Sequence, residues 1–148
     1  MNAIATPTVR PAPSSWRRSV FAVFAGLVVN VVLSSATDLL MVAMGVFPPL
    51  SDFGRPESFS DSMLLVALLY RTFFGVLGCY LTARLAPKRP MAHAAVLGAI
   101  GVVVGVIGAI ATWDTWTQWY SLAIIAVPLP SAWLGAWILQ RSRLRSHS

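Results

Sequence analysis

The 148-residue chain is 57% hydrophobic and only 11% charged, with a mean hydropathy of +0.72. A soluble domain carries about 25% charged residues, so this chain lacks the polar surface to live in water and reads as a membrane protein. Its net charge of +6 comes mostly from bases placed just outside apolar runs, which argues against a nucleic-acid face and for membrane-flanking loops.

Residues 1–15 are rich in Pro, Ala, Ser and Thr and read as a disordered cytoplasmic tail. A membrane domain over 16–141 is expected next, with four helices at about 20–44, 63–86, 91–111 and 119–139, and a short basic tail over 142–148. Each segment reaches the roughly 20 residues a helix needs to cross the hydrocarbon. Backbone polar groups find no water there, so helices are required; the short alternating strands of a barrel are absent. The expected fold is an all-α integral membrane bundle of four transmembrane helices.

The start of the first segment also has the outline of a signal peptide: "SWRRSVFAVFAGLVVNVVLSSA", with a basic start and small residues at Ser34 and Ala36. The apolar run continues to Phe47, whereas a signal core spans only about 7–15 residues and ends at its cleavage site, so a retained helix is expected.

Orientation follows from the bases. Arg10, Arg17 and Arg18 precede the first helix, Arg84, Lys88 and Arg89 join the second and third, and Arg141, Arg143 and Arg145 follow the fourth. The other side has Arg55 among Asp52, Glu57, Asp61 and Asp114. The positive-inside rule places both termini in the cytoplasm. Trp113, Trp116, Trp119 and Tyr120 at the far boundary, and Trp16 and Trp137 at the near one, read as interfacial anchors.

Asp38 is the first anomaly, an acid inside the first segment. Insertion scales put such a residue at a cost of about 2.5–3.5 kcal/mol, so it needs a partner. Arg71, inside the second segment, is the one available. At 1.5 Å per residue, both lie about 10–15 Å below the far boundary. Asn30, Ser34 and Asp38 share one face of the first helix, and Arg71, Gly75, Gly78 and Thr82 form a matching stripe on the second. The pair reads either as an internal clamp or as a site for an ion or substrate.

Ala94, Gly98, Gly101, Gly105, Gly108 and Thr112 make a small-residue seam on the third helix, suited to packing against a helix of this chain or of a second copy. Pro128 and Pro130 are expected to kink the fourth helix and free the carbonyls of Ile124 and Ala126, with Ser131 or water to satisfy them. The single cysteine, Cys79, excludes an intrachain disulfide and reads as a packing residue. No metal-binding, phosphate-loop or nucleophile motif is visible, and His93 lies alone at a boundary; no cofactor, metal or enzymatic activity is expected.

The blocks "ATDLLMVAMGVFPP", "YRTFFGVLGCYLTARLAPKRPMAHA", "GAIATW" and "WYSLAIIAVPLPSAWLG" together resemble a group of small four-helix bacterial membrane proteins with no assigned activity. The resemblance spans about Ala36–Gly135 and implies a bacterial inner-membrane location. It also implies that Asp38 and Arg71 belong to the pattern rather than being accidental charges. The expected function is that of a non-enzymatic accessory module of the bilayer, self-associating or bound to another membrane protein. The alternative is a small transporter or channel subunit using Asp38 and Arg71.

Overall fold

The computed structural model describes residues 15–55 and 58–145. Helix α1 runs Ser15–Ala43, α2 Asp61–Leu85, α3 Pro90–Ala111, α4 Gln118–Ala126 and α5 Pro128–Arg145, with one 3-10 turn at Leu50–Asp52. The last two form one bent span, Gln118–Arg145. The bundle therefore has four helices long and apolar enough to cross a membrane, and among the described residues no strands. Of the expected tails, residues 1–14 and 146–148 lie outside the described part, as does Glu57 of the first connection.

Two boundaries differ from expectation. α1 starts at Ser15, so Trp16–Arg18 are helical, and α5 continues to Arg145, so 142–145 extend the helix rather than forming a tail. Arg and Leu are good helix formers, and cations are favoured at a helix C-terminus. The Arg141 guanidinium lies 4.0 Å over the Trp137 ring, and Ser142 Oγ donates to the Leu139 carbonyl at 2.8 Å, which holds the last turns.

Burial is inverted relative to a soluble protein. The buried set is dominated by Ala, with Gly26, Gly78, Thr82, Gly98, Gly105, Ser121, Ser131 and Gly135, whereas Phe21, Phe24, Leu69, Phe73, Ile107 and Ile110 are exposed. In hydrocarbon, exposing Leu or Phe costs nothing, and helix association comes from close packing instead.

The closest approaches are set by glycines. On α1, a Cβ at Gly26 would lie 2.5 Å from the Gly78 carbonyl oxygen and 2.0 Å from Thr82 Oγ1, so α1 and α2 cross backbone to backbone. Thr82 Oγ1 donates across this crossing to the Ala22 carbonyl. On α5, a Cβ at Gly135 would meet Val76 O at 2.6 Å, which seats α5 on α2.

The α3 seam is filled from within the chain. A Cβ at Gly98 would be 2.8 Å from Ala132 Cβ, one at Gly101 2.8 Å from Pro128 Cβ, and one at Gly105 2.8 Å from the Ile124 carbonyl oxygen. Gly108, the last glycine of the seam, has open space where its Cβ would be.

Pro128 and Pro130 interrupt the ladder of the final span: Val127, between α4 and α5, keeps helical angles (φ −63°, ψ −33°), and the two prolines bring no N–H for the Ile124 and Ala126 carbonyls. The bend is bridged by Val127 N–H to Ala123 O and Ser131 N–H to Val127 O. The Ile124 carbonyl abuts Gly105, and Ser131 Oγ does not satisfy either freed carbonyl, having no hydrogen-bond partner at all.

α1 stops at a Schellman motif: Gly45 has φ +71°, its N–H donates to Val42 O, and Val46 N–H donates to Met41 O. The turn leads the chain to Phe47, which is buried and packs edge-on against Phe59, itself edge-on to Trp116. Asp61 accepts from Trp119 Nε1 at 2.8 Å and Thr117 Oγ1 at 3.1 Å, tying the α1–α2 connection to the α3–α4 connection.

Gly26→Ala is expected to destabilise the bundle by about 1–3 kcal/mol, the usual range for overpacking. Gly105→Leu is expected to do at least as much, whereas Gly108→Ala leaves stability unchanged or slightly raised, since its site is open and Ala favours helix. Thermal unfolding in detergent checks all three; equal melting temperatures would remove the glycine crossings as the packing determinant.

Candidate functional site

Asp38 and Arg71 meet. Five residues separate Asp38 from the end of α1, and Arg71 follows the start of α2 by ten, so the turn-linked antiparallel helices bring them level. Arg71 Nη2 donates to both Asp38 oxygens, at 2.8 Å to Oδ1 and 2.7 Å to Oδ2. Tyr70 adds a contact that residue spacing did not reveal: its hydroxyl donates to Asp38 Oδ1. Sequence reading missed Tyr70 because its neighbour Arg71 was taken to supply the whole partner, and adjacent helical positions point about 100° apart. Here both reach one carboxylate.

Asp38 thus accepts at both oxygens, three hydrogen bonds in all, and its side chain is 19% exposed. Arg71 is not saturated. One nitrogen serves both carboxylate oxygens, and buried Nε has no partner. The side-on fork that an arginine can offer a carboxylate is therefore left half used.

The pair stands at the wall of a cavity of about 390 Å³. All four spans contribute: Asn30, Ser34 and Asp38 from α1, Arg71 and Gly75 from α2, Gly101 and Gly105 from α3, and Trp116, Tyr120 and Ser131 from the final span and the connection before it. Along α1 the lining runs from Leu27 to Asp38, a length of about 16 Å at 1.5 Å per residue. A volume of that size over that length makes a narrow slot parallel to the bundle axis. The polar stripe Asn30–Ser34–Asp38 faces it, as expected, whereas Gly75 turns toward Ser131 of α5 rather than toward α1.

The walls hold unsatisfied polar atoms. Asn30 Oδ1, Arg71 Nε, Trp116 Nε1 and Ser131 Oγ are each buried without a hydrogen-bond partner, and each belongs to a residue lining the slot. Leaving such groups unpaired costs on the order of 1–3 kcal/mol apiece. A fifth, Ser121 Oγ, lies elsewhere.

The aromatic residues divide. Trp113 and Trp119 are exposed, in keeping with an anchoring position. Tyr120 is buried, and Trp116 packs on it with ring centroids 5.5 Å apart, so these two close the connection end of the slot instead of standing in a headgroup belt. Residue order does not separate them, because all four rings fall within eight residues and only the turn of the connection decides which face inward.

A scan of family models and searches of curated proteins and of solved structures return no match. Chemically, the arrangement sets a neutralised charge pair, two unpaired N–H groups, a hydroxyl and an amide oxygen in the residues that line a largely apolar slot.

Tyr70→Phe is expected to cost about 1.5–3 kcal/mol, the range for a hydrogen bond to a charged group. Chemical unfolding of the purified chain measures it. Stability equal to the parent would remove the hydroxyl from the Asp38 cluster.

Proposed function

We propose that this chain is a small, non-enzymatic, multi-pass membrane protein that binds a solute within its bundle, as a small transporter or channel subunit does. The observation that carries this reading is the slot beside Asp38 and Arg71, with four residues bearing unpaired polar atoms in its wall. A pure clamp works best when packed dry, because each unpaired buried group weakens it. Its volume also lies within the roughly 300–1,000 Å³ of small-molecule pockets.

In this function the pair has two tasks. It holds α1 to α2, and it keeps the site electrically neutral in hydrocarbon, where an unpaired ion is costly. Asn30 and Ser34 extend the polar side of the slot. The glycines of α3 bring α4 and α5 close enough to form the opposite wall.

The self-associating accessory module is the second reading. Its main support was the α3 seam, and Gly98, Gly101 and Gly105 already receive α4 and α5 of the same chain. Gly108 and the exposed apolar faces are what remain for a second copy or another membrane protein. The proposal takes the bacterial inner-membrane location from the resemblance of the sequence blocks, and the cytoplasmic position of both termini from the basic residues grouped at one end.

Charge variants test the proposal. Asp38→Asn and Arg71→Leu are each expected to lower stability, and the double variant to recover much of it, since removing both charges leaves no uncompensated buried charge. Native mass spectrometry of the detergent-purified chain is expected to show a bound small molecule on the parent and none on the folded double variant. Absence from both, or presence on both, would reduce the pair to a clamp. For orientation, a fluorescent protein fused after Ser148 is expected to fluoresce, and alkaline phosphatase fused at Arg55 to be active; the reverse pattern inverts the topology.

A further inference from the structure

The slot has a side opening. Val31 and Ser35 of α1 and Val104 of α3 line it and are at the same time exposed on the bundle surface. The opening therefore lies on the flank between α1 and α3. Around it the surface is apolar: Val28 and Val32 on one side, Val103 and Ile107 on the other, all exposed. At the end of the α3–α4 connection the slot ends against Trp116 and Tyr120. Toward the other end α1 closes onto α3, with Leu97 Cδ2 only 3.1 Å from where a Gly26 Cβ would be. A molecule in the hydrocarbon meets this entrance without passing through water.

The wall chemistry narrows what enters. Both Asp38 oxygens are engaged, and the pair is neutral as a unit. An anion approaching Arg71 meets the Asp38 charge, and a cation approaching Asp38 meets Arg71; neither gains a free counter-ion. The unpaired polar atoms of the lining residues are two N–H donors, Arg71 Nε and Trp116 Nε1, one hydroxyl, Ser131 Oγ, and one acceptor, Asn30 Oδ1, so a ligand carrying acceptor oxygens meets three of the four. The rest of the wall is largely hydrocarbon, with Leu27, Leu68, Leu97, Val104 and Ile124. A narrow, elongated shape suits a single chain.

We infer that the slot binds a neutral amphiphile, one apolar chain with carbonyl oxygens in its head, which enters from the bilayer between α1 and α3. Small turns of the Arg71 and Trp116 side chains present Nε–H and Nε1–H to the head, and the chain lies along Leu27 and Leu97. Acylglycerols and quinones share this chemistry. The inference rests on the solute-binding reading above and adds the ligand class and its route.

Quenching of tryptophan fluorescence tests it on the full chain with Trp116 as its one tryptophan, the other five replaced by Phe. Four probes are titrated in detergent: a brominated monoacylglycerol, a short-tailed benzoquinone, a brominated fatty acid and a brominated alkane. Saturable quenching is expected with one or both of the first two, at least tenfold tighter than with the acid or the alkane; which of the two binds tighter identifies the source. Arg71→Leu removes the preference for a carbonyl head. Because that variant is also expected to lose stability, a second one leaves the charge pair intact: Ser35→Phe with Val104→Phe, both at exposed positions, is expected to weaken binding at least tenfold at unchanged melting temperature. Equal affinity for the alkane, or tightest binding of the acid, overturns the ligand class while leaving a solute site in place. Parent-like binding by the Phe pair overturns the route. Quenching that never saturates with any probe removes the site itself, and the solute-binding reading with it.

Discussion

The bundle depends on the link from Asp38 to Tyr70 and Arg71. A carboxylate in hydrocarbon has no water to turn to, so the helix that carries it is held wherever its partners are. That requirement sets α1 against α2 at one height. From there every step back along α1 is matched by a step forward along α2: Asn30 Cβ is the neighbour of Gly78, Gly26 meets Gly78 and Thr82, and the Ala22 carbonyl receives the Thr82 hydroxyl. One register satisfies the charge, the close glycine crossing and the interhelical hydrogen bond together. A slip by one residue would turn each of these away, since adjacent helical side chains point about 100° apart.

The remaining spans are fitted by size rather than by charge. α2 accepts α5 at Gly135, and α3 accepts the α4–α5 bend at Gly98, Gly101 and Gly105. Pro128 and Pro130 interrupt the hydrogen-bond ladder at this point, and Pro128 itself fills the space beside Gly101. The slot follows from this geometry. α1 is tight on its neighbours near Gly26, yet at Val31 and Ser35 it borders an open flank, and the wall facing it across the gap is built of glycine. Small residues that let some helices touch leave space where the opposing helix diverges.

Much of the architecture was legible in residue order, for a reason particular to membranes. A span must be long, apolar and helical, so each leaves a run of residues that composition alone exposes. Intramembrane charges are rare and expensive, and two of them at matched depth in consecutive helices point at each other. Other features were not legible. Tyr70 is one residue from Arg71, and nothing in periodicity says that its hydroxyl reaches the same carboxylate. The prolines marked a break in the hydrogen-bond ladder, but nothing in residue order said that Pro128 would seat beside Gly101. Trp116 and Tyr120 look like Trp113 and Trp119 in the chain, and only the turn at 112–117 separates those that cap the slot from those that are exposed.

By itself the sequence determined that four helices long enough to span a bilayer must form, and that Asp38 and Arg71 had to find each other, because hydrocarbon tolerates neither an open backbone nor a lone charge. Tertiary structure alone decided that the α3 seam is filled by the same chain, that Asp38 is doubly held while Arg71 keeps an unused donor, and that a slot opens between α1 and α3. These are outcomes of how four surfaces meet at once. A cavity is the space that no residue occupies, and it has no signature in the order of those that surround it.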